Sequence, residues 1–156
     1  MGVRENTTLA TIARDASAGF LDAGRERART ADAIERLAIK TPSAEQEVRL
    51  LSGGNQQKLI VGKELILDPS VLIAAHPTRG IDVGAQAAVW EELRQARREG
   101  MAILLISADL EELIGLSDTL LVLFDGRIVA KLDPADVTPK TLGSHMTGVA
   151  VEEEAL

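Results

Sequence analysis

The residues best suited to chemistry lie together in Leu51-Ser52-Gly53-Gly54-Asn55-Gln56-Gln57. A serine followed by two glycines at the start of a helical pattern leaves backbone N–H groups free of side-chain obstruction, and the helix dipole favours an anion in front of them. Phosphate is an anion that suits this arrangement. A second reading stays open, an ordinary glycine-containing helix start, because serine and glycine are both common caps. His76 and His145 are the only imidazoles and neither has a partner at metal-ligand spacing; cysteine is absent, so thiolate sites and disulfides are excluded and no metal site is expected.

Several elements must position that stretch. Ser52 is expected to cap a helix running through Lys58, Val61 and Leu65 and stopping at Asp68-Pro69. The apolar run Val71, Leu72, Ile73, Ala74, Ala75 then predicts a buried strand. Asp82 predicts the cap of a second long helix through Trp90 and Arg98, closed by Gly100, and residues 101–106 predict another apolar strand. Strand, helix and strand in succession imply parallel pairing, hence an α/β class. Ser107 is expected to open a shorter helix over residues 109–115. A strand over 119–124 should turn at Asp125-Gly126 into a partner over 127–130, and Thr138 with Pro139 behind it predicts a terminal helix near Met146. The acidic tail at 152–154 is expected to fray. Before all of this, Ala31, Ile34, Leu37 and Ala38 recur at helical spacing, so the first fifty residues read as a small helical layer interrupted at Thr41-Pro42.

Composition narrows the function classes. The chain has 156 residues, within the size of one domain, and is 46% apolar but only 2% aromatic, which leaves aliphatic side chains to build the core. With 24 acidic against 17 basic residues the net charge is −7, opposite to what phosphate-backbone neutralisation requires, so no nucleic-acid partner is expected. No apolar run approaches the ~20 residues that span a bilayer. Arg25, Arg27 and Arg29, and likewise Arg94, Arg97 and Arg98, read as solvated helix charges, Trp90 as packing, and His145 as surface.

Residues 51–57 resemble the signature motif of ATP-binding cassette (ABC) proteins, and other stretches resemble that family's landmarks in their usual order. Val71-Leu72-Ile73-Ala74-Ala75-His76-Pro77-Thr78 resembles the Walker B strand, Arg79-Gly80-Ile81-Asp82 the D-loop, Ile106-Ser107-Ala108-Asp109-Leu110 the switch loop, and Asp125-Gly126-Arg127-Ile128-Val129 the terminal hairpin. Arg4-Glu5-Asn6 resembles the start of a cassette's helical subdomain. The wording LSGGNQQK at 51–58 with PTRGIDVGA at 77–85 is similar to the second cassette of double-cassette subunits that energise bacterial importers of simple sugars and nucleosides. Ala74-Ala75-His76-Pro77 resembles the nucleoside-type branch, which works with lipoprotein binding components.

The resemblance implies a partial P-loop NTPase (RecA-like) parallel sheet with helices, divided into a helical signature subdomain over 1–50, a signature helix and α/β core over 51–132, and a C-terminal helix and tail over 133–156. No G-x-x-x-x-G-K-[ST] string occurs, so the Walker A portion is absent and the chain is expected to start downstream of it. At the Walker B end Ala75 and His76 replace the usual acid pair, and Ala108 replaces the switch histidine, so this site is expected to be degenerate. Loss of a general base alone removes a factor of about 10²–10⁴ in rate. His76 accepting a proton is weighed against a structural role.

In the family a nucleotide lies between the phosphate loop of one cassette and the signature motif of the other. Ser52, Gly53 and Gly54 would thus contact a γ-phosphate held by a partner, Gln56 would support the loop or reach the ribose, and Gly80 and Asp82 would form a D-loop, Asp82 being equally a plain helix cap. ATP and Mg²⁺ would be held by the partner's Walker A loop, and the chain alone would be inactive. The implied partners are a first ATP-binding cassette, membrane permease subunits and, indirectly, an extracytoplasmic solute-binding protein. The implied location is cytoplasmic, peripheral on the inner face of the cell membrane. A regulatory or binding module not coupled to transport is the alternative. Soluble cassette ATPases of ribosomes or DNA repair are a further class, whose basic linkers and coiled-coil insertions do not occur here.

Overall fold

A computed structural model describes residues 1–12, 16–17 and 20–147; the acidic tail at 152–154 lies outside the described residues. The chain divides into two compact units, Met1–Ile73 with Pro77–Leu104, and Ala74–His76 with the chain from Leu105 onward.

In the first unit, α1 (Val3–Thr8) is followed by a short antiparallel pair, β1 (Ala16–Ser17) with β2 (Phe20–Leu21), which the sequence pattern did not predict. Then come α2 (Ala23–Arg36), α3 (Gly53–Leu65) and α4 (Val83–Arg98). Each of these three helices starts on an oxygen-bearing side chain that satisfies first-turn N–H groups: Asp22 accepts from Gly24 and Arg25, Ser52 from Asn55, and Asp82 from Ala85. Leu37, Ile39, Leu51, Leu59 and Val3 form a core, with Ile34 and Val48 packed against it. The helix expected from Ala31, Ile34, Leu37 and Ala38 forms as far as Arg36, with Ile34 and Leu37 packed in the core and Thr30 and Ala33 buried on it, but Ala38 lies beyond it. The helix ends at Arg36, and Ala38 enters the left-handed region at φ 46°, which takes it off the helical face.

Strands β3 (Val71–Ala75) and β4 (Ala102–Ile106) are paired. Ala102 N–H donates to Ser70 O at one end (3.1 Å) and His76 N–H to Ile106 O at the other (2.7 Å), so the strands run parallel with α4 as their crossover, as expected. Their burial is not as expected. Val71 is 62% and Ile73 65% exposed, and Leu104 and Ile106 are exposed as well. Apolar runs state what a strand prefers to touch, but only its neighbours decide what it buries, and in β3 only Ala74 is buried.

The second unit contains α5 (Leu110–Leu116), β5 (Leu120–Phe124), β6 (Arg127–Leu132) and α6 (Pro139–Met146). Asp125 (φ 47°) and Gly126 (φ 73°) occupy the left-handed region in succession, the two-residue hairpin turn that an Asp-Gly pair favours, and β5 pairs antiparallel with β6 around it. The expected cap at Ser107 is displaced to Asp109, whose carboxylate accepts from Glu111 and Glu112 N–H at 3.0 and 3.1 Å. Ser107 Oγ accepts from Asp109 N–H, two residues on. Thr138 caps α6 as predicted. Leu120, Val122 and Leu142 make the core of this unit.

Gly62 packs closely on Leu37, because a β-carbon there would lie 2.2 Å from Leu37 Cδ1. Gly62→Ala should therefore destabilise by about 1–2 kcal/mol, overpacking outweighing the better helix propensity. Leu37→Ala should cost about 2–5 kcal/mol, and in that background Gly62→Ala should turn neutral or stabilising. Urea unfolding of the two single variants and the double variant measures this coupling.

Candidate functional site

The start of α3 presents Ser52 and Gly53 to solvent and buries Gly54. Ser52 Oγ accepts from Asn55 N–H (3.4 Å) and from Asn55 Nδ2 (2.9 Å). N–H groups in a helix's first turn have no acceptor within the helix, and here they sit beside side chains with no bulk. A β-carbon on Gly53 would meet nothing nearer than Gly80 O at 3.9 Å. Gly54 is different: a β-carbon there would be 3.2 Å from Asp82 Oδ2 and from Ala85 Cβ, and 3.8 Å from Ile81 Cβ. Gly53 therefore leaves open space, and Gly54 allows close approach of the loop and helix that follow.

Ser52, Gly53, Gly54, Gly80 and Asp82 are thus brought together in one place. Gln56 belongs to the same turn, its Nε2 donating to Leu51 O at 2.9 Å. Sequence reading missed three supports. Gln57 Nε2 donates to Pro77 O (2.7 Å), Asn55 Oδ1 accepts from Lys40 N–H (2.9 Å), and the buried Lys58 donates from Nζ to Ala38 O (3.1 Å). The only signal for them was that residues 55–58 are all side chains able to hydrogen bond at a helix start.

Asp82 combines cap and charge. Its Oδ1 accepts from Ala85 N–H at 2.9 Å. That bond, more than the nearby Lys58 ammonium, holds the Asp82 carboxyl below the usual carboxylate range. It remains an anion at neutral pH, beside a turn that offers N–H donors.

Ala75, His76 and Ala108 lie in the second unit, all exposed. His76 takes φ 50°, a left-handed conformation in which histidine is tolerated, as its N–H closes the β3–β4 pair. Ala75 and Ala108 carry no donor or acceptor side-chain atom, so these positions offer a single imidazole. Arg79 is exposed. Trp90 is half-buried, with the Arg94 guanidinium 5.6 Å from its ring centroid, an arrangement suited to a cation–π contact. Arg98 pairs with Glu91 at 2.6 Å on the exposed side of α4, and Arg25 with Asp22. His145 lies on α6 and is partly exposed. Among the described residues no helix is long and apolar enough to cross a membrane.

No protein-family model matches the chain. Ribose import ATP-binding protein RbsA of Yersinia pestis is 42% identical over 154 residues, which is 99% of this chain and 30% of that protein. The proteins of the same description from Roseobacter denitrificans and Streptomyces coelicolor are 39% and 41% identical over 97% and 96% of the chain, again 30% of their length. The chain thus spans about a third of the curated relatives it matches. Among solved structures, an ATP-binding subunit of an ABC transporter superposes with TM-score 0.75 at 20% identity, covering 94% of this chain and 62% of that one. A dimeric ATP-binding cassette in a post-hydrolysis state bound to ADP and Pi gives 0.74 at 18%, covering 86% and 57%. The fold is therefore the α/β, P-loop NTPase type of the ATP-binding cassettes.

The carboxylate of Asp82 makes a prediction about pH. A carboxyl held below its unfolded value stabilises the fold above the ordinary carboxylate range, and that contribution disappears as pH falls through the lowered value. Asp82→Asn keeps a capping oxygen but removes the charge. The variant should unfold at lower urea than the wild type at pH 7, and the gap should close in acid.

Proposed function

We propose that this chain belongs to the ATP-binding subunit of an ABC importer of simple sugars, ribose foremost, and that its α3 start serves a nucleotide held by a second cassette. One observation carries the proposal. Ser52 and Gly53 are exposed at the start of a thirteen-residue helix whose position is fixed by the seating of Gly54 on Asp82 and Ala85. The ribose import relatives support the transport role, and the solved dimeric cassette bound to ADP and Pi supports the pairing of two cassettes.

In this reading the Ser52 hydroxyl and the N–H groups of Gly53 and Gly54 donate to the γ-phosphate, where pre-aimed donors and the helix dipole stabilise negative charge without reorganising. The open space at Gly53 fits a phosphate group. Gln56 holds the approach from Leu51, and Gly80 and Asp82 form the adjoining D-loop. When bound, ATP supplies the free energy that closes the two cassettes and the phosphoanhydride whose cleavage lets them reopen. Ala75, His76 and Ala108 do not fit Mg²⁺ or a polarised water, because together they offer no carboxylate, so this chain's own site is degenerate and ATP with Mg²⁺ rests on the partner's Walker A loop.

The partners in this proposal are a first cassette, a permease that meets the helical layer of residues 1–50, and indirectly an extracytoplasmic binding protein, with the subunit on the inner face of the cell membrane. The nucleoside-type branch is the narrower form of the proposal and rests on Ala74-Ala75-His76-Pro77. The degenerate positions also favour a second reading, a regulatory cassette not coupled to transport.

Equilibrium binding of a fluorescent ATP analogue with Mg²⁺ tests the site. The chain alone should not bind, whereas mixing it with a cassette that carries a phosphate loop should tighten nucleotide binding, and Ser52→Arg should abolish the gain. Tight Mg²⁺-dependent binding by the chain alone, or a mixture indifferent to Ser52→Arg, would overturn the proposal. Uptake of ribose and of a nucleoside by cells carrying Ser52→Arg then separates the two readings: transport coupling predicts loss of one of them, and a regulatory module predicts that both persist.

A further inference from the structure

The side chain of Asn55 bridges two places. Its Oδ1 accepts from Lys40 N–H at 2.9 Å, and its Nδ2 donates to Ser52 Oγ at 2.9 Å. A backbone N–H can only donate, so Lys40 selects the carbonyl oxygen of the amide and turns the NH₂ group toward Ser52. An amide NH₂ also only donates. Ser52 Oγ receives that bond together with the longer one from Asn55 N–H at 3.4 Å, so both of its acceptor sites are taken by Asn55. Its single proton is left to face the exposed side of the helix start.

The far end of the bridge is anchored as well. Lys40 follows the left-handed Ala38 (φ 46°), whose carbonyl is held by the buried Lys58 ammonium at 3.1 Å, and Leu37 of the same turn is buried against Gly62. The turn that ends α2 is thus pinned to α3 at three heights, through Asn55, Lys58 and Gly62.

We propose that Asn55 is a positioning residue that fixes the Ser52 hydroxyl as a hydrogen-bond donor toward a terminal phosphate, an inference that rests on the nucleotide reading of Ser52 given above. A phosphate oxygen only accepts, so a serine whose proton is turned inward presents lone pairs to it and repels it. Asn55 removes that orientation. It touches no nucleotide itself and acts through Ser52.

The test measures ATP and ADP affinity of the chain mixed with its partner cassette. Asn55→Leu removes both bonds. Asn55→Asp keeps an acceptor for Lys40 N–H but faces Ser52 with a second acceptor, which draws the serine proton inward. Both variants should weaken ATP binding by about three- to tenfold while ADP, which lacks the terminal phosphate, changes by less than about twofold. In a Ser52→Ala background neither substitution should alter the ATP-to-ADP ratio further. If Ser52→Ala weakens ATP binding and the Asn55 variants leave the ratio unchanged, or if they weaken ATP and ADP equally, the positioning role is overturned and the nucleotide reading survives. If Ser52→Ala leaves ATP binding unchanged, the nucleotide reading itself fails and this inference falls with it.

Discussion

The approach of Gly54 to Asp82 and Ala85 is the constraint on which the rest of the site depends. It sets the start of one helix against the start of the next at a separation that a single β-carbon would disturb. Two helix N-termini are then neighbours, which concentrates unsatisfied N–H groups and positive dipole ends in one region. Asp82 answers part of that field. Its carboxylate takes the N–H of Ala85 and lies near Lys58.

The side chains behind the exposed turn have separate tasks. Gln56 and Gln57 fasten α3 to the backbone before it and to Pro77, while Asn55 and Lys58 fasten it to the turn after α2. Four consecutive residues therefore connect the helix start to three stretches of chain. A surface turn with so many fixed neighbours loses little entropy on meeting a ligand, which is what a preorganised anion site requires.

Much of the fold was legible because its determinants are local. Ser52, Asp82 and Thr138 cap helices where an oxygen-bearing residue precedes a periodic run, and the Asp125-Gly126 turn follows from backbone preferences of two residues. Motif order named Ser52 to Gly54, Gly80 and Asp82 as candidates, but their grouping in one place is read from the structure alone. The supports did not: Gln57 to Pro77 and Lys58 to Ala38 each span 20 residues, and no periodicity announces such a bond. Burial was the least legible property. The apolar runs at 71–75 and 102–106 are strands, yet their side chains are largely exposed, since exposure depends on what packs alongside. The displaced cap at Asp109 shows a smaller version of the same limit, two candidates two residues apart being decided by which oxygen reaches the N–H groups.

The most direct measurement is photolabelling with an ATP analogue that carries its reactive group on the γ-phosphate, followed by peptide mapping of this chain in the presence and absence of a partner cassette. Label is expected within residues 51–57 only when the partner is present. Label around His76 and Ala108, or label at any position in the chain alone, would contradict it.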